Sequence, residues 1–301
     1  MACLAQVGLL AAFAVLASGA SPSPSSLSEF HRVKLGTLAS PSTGPVGLVI
    51  LARVNGGPPL RLLLDSGAQH VVLDKKAAAR SRCLGGTGLD LVGAGTGRPE
   101  AARVLSAGTV EIGEILLRTV DVVVVERRLL DGLDGVMPVR LFAGYMITLD
   151  LKNRFLDLTP FPGAPSQESD PVARAEIRNG LLFVKGTLNG SYQGYFLLDT
   201  GATYNAISTT LAGTMNSISG PHQTVSVQAG TANLAAHRVS QVRRFQVGSS
   251  DLRTDPVVAV DLSPASRHNQ LEVSGLLGYP ALRDCVVAIN YRDALVRIDR
   301  K

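Results

Sequence analysis

The chain has 301 residues, 46% of them hydrophobic and 18% charged, which excludes a disordered chain and a disulfide-stapled miniprotein and leaves room for one large or two small cores. Lys and Arg number 29 against 24 Asp and Glu, a net charge of +5 spread without a basic block, and aromatics are 5% with no Trp. A nucleic-acid arm and a stacking platform for single strands or sugars both lack their residues, so no nucleic-acid partner is expected.

From Leu4 to Leu16 runs an apolar stretch broken only by Gln6 and Gly8, followed by the small residues Ala17, Ser18, Gly19 and Ala20. This reads as an export signal over residues 1–20, which places the mature chain outside the cytoplasm, secreted or periplasmic. The run is short for a membrane span, and no other segment could serve as one, so no stable span is expected after cleavage; an uncleaved signal acting as an anchor is the alternative. Residues 21–43, rich in Ser and Pro, form a lead-in that could be a short pro-segment, a tether or an added strand. Cys3 lies in the signal, leaving Cys83 and Cys285 as either a disulfide or two buried thiols.

The remainder contains one pattern twice. Val46 to Val54, the turn Asn55-Gly56 and Leu60 to Leu64 lead into Asp65-Ser66-Gly67-Ala68; Leu181 to Leu188, Asn189-Gly190 and Gly194 to Leu198 lead into Asp199-Thr200-Gly201-Ala202. Each copy predicts a hairpin feeding a tight turn that holds an aspartate. A strand and a short helix follow, at 75–80 and at 209–213. Glycine-rich turns come next at Gly93 to Gly97 and Gln228 to Thr231, then strand pairs at 104–112 with 120–125 and at 239–247 with 256–260. Gly135-Val136-Met137 and Gly275-Leu276-Leu277-Gly278 are equivalent, and the closing hairpins are 146–158 and 285–298. The offset from Asp65 to Asp199 is nearly that from Gly135 to Gly275, so the copies stay almost in register along their length, which indicates duplication. The expected organisation is an N-terminal half at 44–160, a Pro-rich linker at 161–176 and a C-terminal half at 177–301. The expected fold class is mainly β, two similar barrel-like lobes about a pseudo-dyad with a cleft between them.

An aspartate in a turn between apolar strands is costly to bury unless it is hydrogen-bonded or paired. Two of them at equivalent positions of a duplicated fold can meet at the dyad, and two carboxylates in contact share one proton. One can then take a proton from a water as the other gives one to a carbonyl oxygen, which cleaves an amide.

On these motifs the chain resembles a retropepsin-like aspartic protease of the pepsin-like superfamily, in a single chain with two duplicated halves. The resemblance implies a monomeric endopeptidase without cofactor or metal, acting on an extended peptide or protein substrate. Asp65 and Asp199 match the catalytic aspartates, and Ser66, Gly67, Ala68, Thr200, Gly201 and Ala202 match the supporting loops. Gly95 and Gly230 fall where the family places flaps. Two features depart from the pattern: Pro138 stands where a Gly is expected, with its φ fixed and no N–H, and Gln69 follows Ala68. Ala68 and Ala202 lack a hydroxyl that could stabilise the ionised aspartates, which predicts a mildly acidic to near-neutral optimum.

The rival reading is a catalytically inactive, exported pepsin-like binding module whose basic surface meets an acidic partner, with Arg80/Arg82, Arg127/Arg128 and Arg243/Arg244 as candidate patches. Gly93 to Gly97 lacks the spacing of a dinucleotide fingerprint, no Gly-x-Ser-x-Gly elbow occurs, and the five histidines have no metal-ligand spacing. Asn189-Gly190-Ser191 fits a glycosylation sequon and a hairpin turn alike.

Overall fold

The computed structural model describes residues 7–9, 12–14, 29–40, 44–83, 85–93, 99–106, 108–126, 129, 132–161, 173–216, 224–229 and 232–301. It is mainly β, and its two halves repeat one strand order. In the N-terminal half Gly44–Val54 pairs with Leu60–Asp65, followed across the sheet by Gly135–Pro138, Val71–Asp74, Asp121–Val125, Pro99–Ser106 and Thr87–Gly93. In the C-terminal half the same places are filled by Leu181–Leu188, Tyr192–Leu198, Val273–Leu277, Asn205–Ser208, Val257–Val260, Ala232–Arg238 and Thr224–Ala229.

The strand ahead of each aspartate is central. Leu60–Asp65 lies antiparallel to Gly44–Val54 and parallel to Gly135–Pro138, with Asp65 opposite Pro138. Strands flanked on both sides and covered on both faces read as continuous apolar runs, which is why Leu62, Leu63 and Leu64 are consecutive and buried. Tyr192–Leu198 has the same neighbours, parallel to Val273–Leu277 with Leu198 opposite Leu277.

Asn55-Gly56, Asn179-Gly180 and Asn189-Gly190 each turn a hairpin with both residues at positive φ, the conformation of a type I′ turn. Asn55 and Asn189 also carry long-range contacts. Asn55 Oδ1 accepts from the N–H groups of Gly108 and Thr109 at 2.9 and 3.1 Å, and Asn189 Oδ1 accepts from those of Arg243 and Arg244 at 2.8 and 3.2 Å. Asn189 Nδ2 donates to Gln241 O at 2.7 Å, so the asparagine of the sequon is engaged through both side-chain polar atoms. The capture at Gly108 also ends the strand expected over 104–112, which is divided into Pro99–Ser106 and Thr109–Ile112. The short helices Lys75–Arg80 and Thr209–Thr214 begin at Asp74 and Ser208, whose side chains accept from Ala77 N and Leu211 N at 2.7 and 3.1 Å.

Between the lobes the closing hairpins join. Met146–Asp150 pairs antiparallel with Cys285–Asn290, and Thr148 faces Ala288, its own counterpart in the second half. The pseudo-dyad therefore passes through this pair. The sheet is extended by Leu295–Arg300 and Ala173–Arg178 on one side and by Phe155–Thr159 and His31–Lys34 on the other, so part of the lead-in is an added strand. Val7–Leu9 runs parallel to Thr224–Ala229, and Ala12–Ala14 runs antiparallel to Thr87–Gly93. Among the described residues no helix is long and apolar enough to cross a membrane.

One large core runs through both halves and the closing hairpins between them, and each half holds a smaller separate cluster. Those two smaller clusters are images of each other: Val49, Leu63, Ala68, Val72 and Val136 correspond to Phe183, Leu197, Ala202, Ala206 and Leu276. Cys83 and Cys285 are free and buried, and burial raises both thiol pKa values, Cys285 to about 11. The C-terminal half also contains the helix Ser263–Asn269, which the sequence reading does not anticipate.

Candidate active site

The two aspartate turns meet at the pseudo-dyad. Asp65 and Asp199 are both completely buried, and each carboxyl group lies over the other half's glycine. A Cβ built on Gly67 would stand 2.6 Å from Asp199 Cγ, and one on Gly201 would stand closer still to Asp65 Cγ, so any side chain at either position would collide with the opposite carboxylate. This is the physical reason for Gly as the third residue of both motifs.

Ser66 and Thr200 brace the turns reciprocally. Ser66 Oγ donates to Leu198 O at 2.7 Å and accepts from Thr200 N at 3.0 Å; Thr200 Oγ1 donates to Leu64 O at 2.8 Å and accepts from Ser66 N at 3.0 Å. Four buried main-chain groups are thus satisfied across the dyad by two hydroxyls. Ala68 and Ala202 face the inner apolar clusters at 1% and 0% exposure, where a methyl fits without a polar atom to satisfy.

The carboxylates are not equivalent. Asp199 Oδ1 accepts from the N–H groups of Gly201 and Ala202 at 3.1 and 2.9 Å, whereas Asp65 Oδ1 accepts from Gly67 N at 2.7 Å. Burial raises both pKa values. Asp65 is pushed well above the usual carboxylate range by burial and then by the charge of Asp199. Asp199 is raised to about 7 by burial, against the stabilising hydrogen bonds from Asp65 and from the N–H groups of Ala202 and Gly201. Two buried carboxyls in contact cannot both ionise cheaply, so the pair holds a proton to higher pH than an isolated aspartate, and the additional main-chain donor favours the charge on Asp199. Among the described residues neither Oδ2 has a hydrogen-bond partner outside the pair.

The family is evident beyond the motif. The family model described as "Aspartyl protease" matches residues 50–137 and again 184–281. The chain belongs to the aspartyl protease family. Among solved structures, the chain is similar to the aspartic proteinase from Irpex lacteus, with a TM-score of 0.53 at 12% identity over 91% of this chain and 98% of that one, a likeness of fold. No curated protein sequence matches the chain.

The departure at Pro138 in the first half of the chain is compensated. Beneath Asp199, Asn205 Oδ1 accepts from the N–H groups of Gly278 and Ala281 at 3.1 and 3.2 Å. At the position equivalent to Gly278 the first half has Pro138, which carries no N–H, and at the position equivalent to Asn205 it has Val71, which carries no acceptor. Donor and acceptor are replaced together, and Pro138 sits in a strand paired with Asp65 at an ordinary φ of −72°.

Sequence reasoning does not single out Asn205, Asn179 or Arg140. Asn179-Gly180 carries a hairpin signal in plain view; Asn205 and Arg140 belong to no motif. The flap candidates Gly95 and Gly230, and the doublet Arg127/Arg128, lie outside the described residues. Of the other basic doublets, Arg80 is ion-paired with Asp134, and Arg244 with Asp251 at 2.8 Å.

Proposed function

We propose that the chain is an aspartic endopeptidase that hydrolyses peptide bonds with a water held between Asp65 and Asp199. The observation that carries this is the reciprocal approach of each carboxyl to the opposite glycine, with both Oδ2 atoms free of partners outside the pair among the described residues. Asp199, with two main-chain donors, is the anion that accepts the water's proton as the oxygen attacks the carbonyl carbon. Asp65 holds the shared proton and donates it to the carbonyl oxygen, giving a tetrahedral gem-diol. Return of a proton to the nitrogen as the C–N bond breaks releases the amine and carboxylic acid products. The reciprocal hydroxyl brace keeps the two carboxyls in place through these transfers, so the site is organised before substrate binds.

The substrate class is an extended peptide. Clefts between β-lobes bind such chains through main-chain hydrogen bonds, with alternate side chains entering pockets on each side. We infer export by the N-terminal segment as well, from its apolar run and small-residue end.

Digestion of a mixed peptide library between pH 3 and 8, read by mass spectrometry, tests the proposal. Internal cleavage by the wild type that is absent with Asp199→Asn supports it. A folded wild-type chain that leaves the library intact at every pH, or an Asp199→Asn variant that cuts at the wild-type rate, rules it out.

A further inference from the structure

The two aspartate turns are anchored from beneath by different means. In the C-terminal half the main chain does it: the N–H of Tyr279 donates to Ala202 O at 2.8 Å. In the N-terminal half a side chain serves: Arg140 Nη1 donates to the carbonyl of Gln69, just past the Asp65 turn, at 3.2 Å. Arg140 follows closely on Pro138, in the single 3-10 turn Val139–Phe142.

The same guanidinium touches the other half. A Cβ on Gly180 would lie 2.5 Å from Arg140 Nε and 2.7 Å from its Cζ, so the side chain packs against bare backbone at the Asn179-Gly180 turn. Gln69 reaches that turn as well, with Nε2 donating to Asn179 O at 3.1 Å. Asn179 Nδ2 then donates to His268 O at 3.1 Å and to Asn269 Oδ1 at 3.2 Å, at the end of Ser263–Asn269. A continuous line of contacts thus runs from the Asp65 turn into the C-terminal half. His70, beside Gln69, is lowered to about 4 by burial and by the charge of Arg140, against the pull of Asp121, so it is neutral above that pH and adds no charge beside the guanidinium.

We propose that Arg140 and Gln69 are positioning residues for Asp65, clamping its turn to the Asn179-Gly180 turn of the opposite half and so fixing the spacing of the two aspartates. The inference rests on the reading of Asp65 and Asp199 as one dyad. The clamp is specific to this side, because the equivalent positions in the second half are Pro280 and Thr203, neither of which offers a guanidinium or an amide.

The test uses the full chain with Arg140→Gln, Arg140→Lys and Gln69→Ala. A charge-assisted hydrogen bond lost from a half-buried site corresponds to roughly 10- to 100-fold. Arg140→Gln is expected to lower kcat by that factor with KM little changed, and Arg140→Lys, which keeps a donor and the charge, to recover part of it. A second readout needs no turnover: amide hydrogen exchange at 66–70 should accelerate in Arg140→Gln and Gln69→Ala while that at 200–203 stays as in the wild type. Unchanged exchange at 66–70, or equal acceleration of both turns, overturns the clamp. If the wild type cleaves no peptide, the reading of the dyad fails by itself, and the exchange measurement still decides the clamp.

Discussion

Replacing Thr200 by Val removes one oxygen from the centre of the molecule and keeps the shape of the side chain. Two partners lose their bond at once, the carbonyl of Leu64 at 2.8 Å and the N–H of Ser66 at 3.0 Å. Leu64 and Ser66 are 0% and 1% exposed, so water cannot take over either role without the turns opening. An orphaned buried donor or acceptor costs about 1–3 kcal/mol, so Thr200→Val should lose about 2–6 kcal/mol. Thr200→Ser keeps both bonds and loses one methyl, about 1 kcal/mol. Urea unfolding followed by far-ultraviolet circular dichroism measures both, since the chain has no Trp to report by fluorescence. Thr200→Val should be much the less stable of the two, and its kcat should fall because the carboxyls are no longer held. Equal midpoints for the two variants, or a Thr200→Val loss below about 1 kcal/mol, would show that the hydroxyl brace carries no such load.

In the proposed mechanism Asp199 is ionised and Asp65 protonated, and Asp199 is raised to about 7, so the acid limb of kcat/KM should lie well above the ordinary carboxylate range, with the optimum near neutrality; a profile peaking near pH 2 would contradict the assignment. The same shift has a stability consequence. A carboxyl whose folded pKa exceeds its unfolded one favours the fold fully below about pH 4, and that contribution is lost as pH rises towards 7, so stability against urea should decline over this window and decline less in Asp199→Asn. Asn205→Val strips the acceptor from the N–H of Gly278, while that of Ala281 keeps the carbonyl of Gly278 at 3.1 Å, and should cost about 1–3 kcal/mol; Val71→Asn should destabilise too, because Pro138 has no N–H to offer it, and an Asn tolerated there would refute the compensation. Melting temperatures and urea midpoints of these two variants decide it.

Much of this architecture is legible in the sequence because its signals are local. Asn-Gly turns, alternating apolar runs and the Asp-Ser/Thr-Gly-Ala turns each occupy a short stretch of chain, and duplication displays each twice. The repeat also makes the meeting of Asp65 and Asp199 readable, since equivalent points of a two-fold arrangement can coincide at its axis. What escapes is set by distant partners. Nothing near Arg140 announces that its guanidinium reaches Gln69 and Gly180, and Asn205 reads as one polar residue in a strand until Gly278 is placed above it. Pro138 reads as a defect because its compensating change, Val71, lies on a strand far back in the chain. The helix Ser263–Asn269 is too short to show a period, and the pairing of Thr148 with Ala288 joins segments from opposite halves that no local pattern links.

Whether one chain supplies both carboxyls of a single dyad is decided by peptide cleavage with Asp65→Asn, with Asp199→Asn and with an equimolar mixture of the two. Folded proteins that are inactive separately and remain inactive when mixed are expected. Activity in either single variant would remove that aspartate from the chemistry, and activity restored by mixing would place the working dyad between chains.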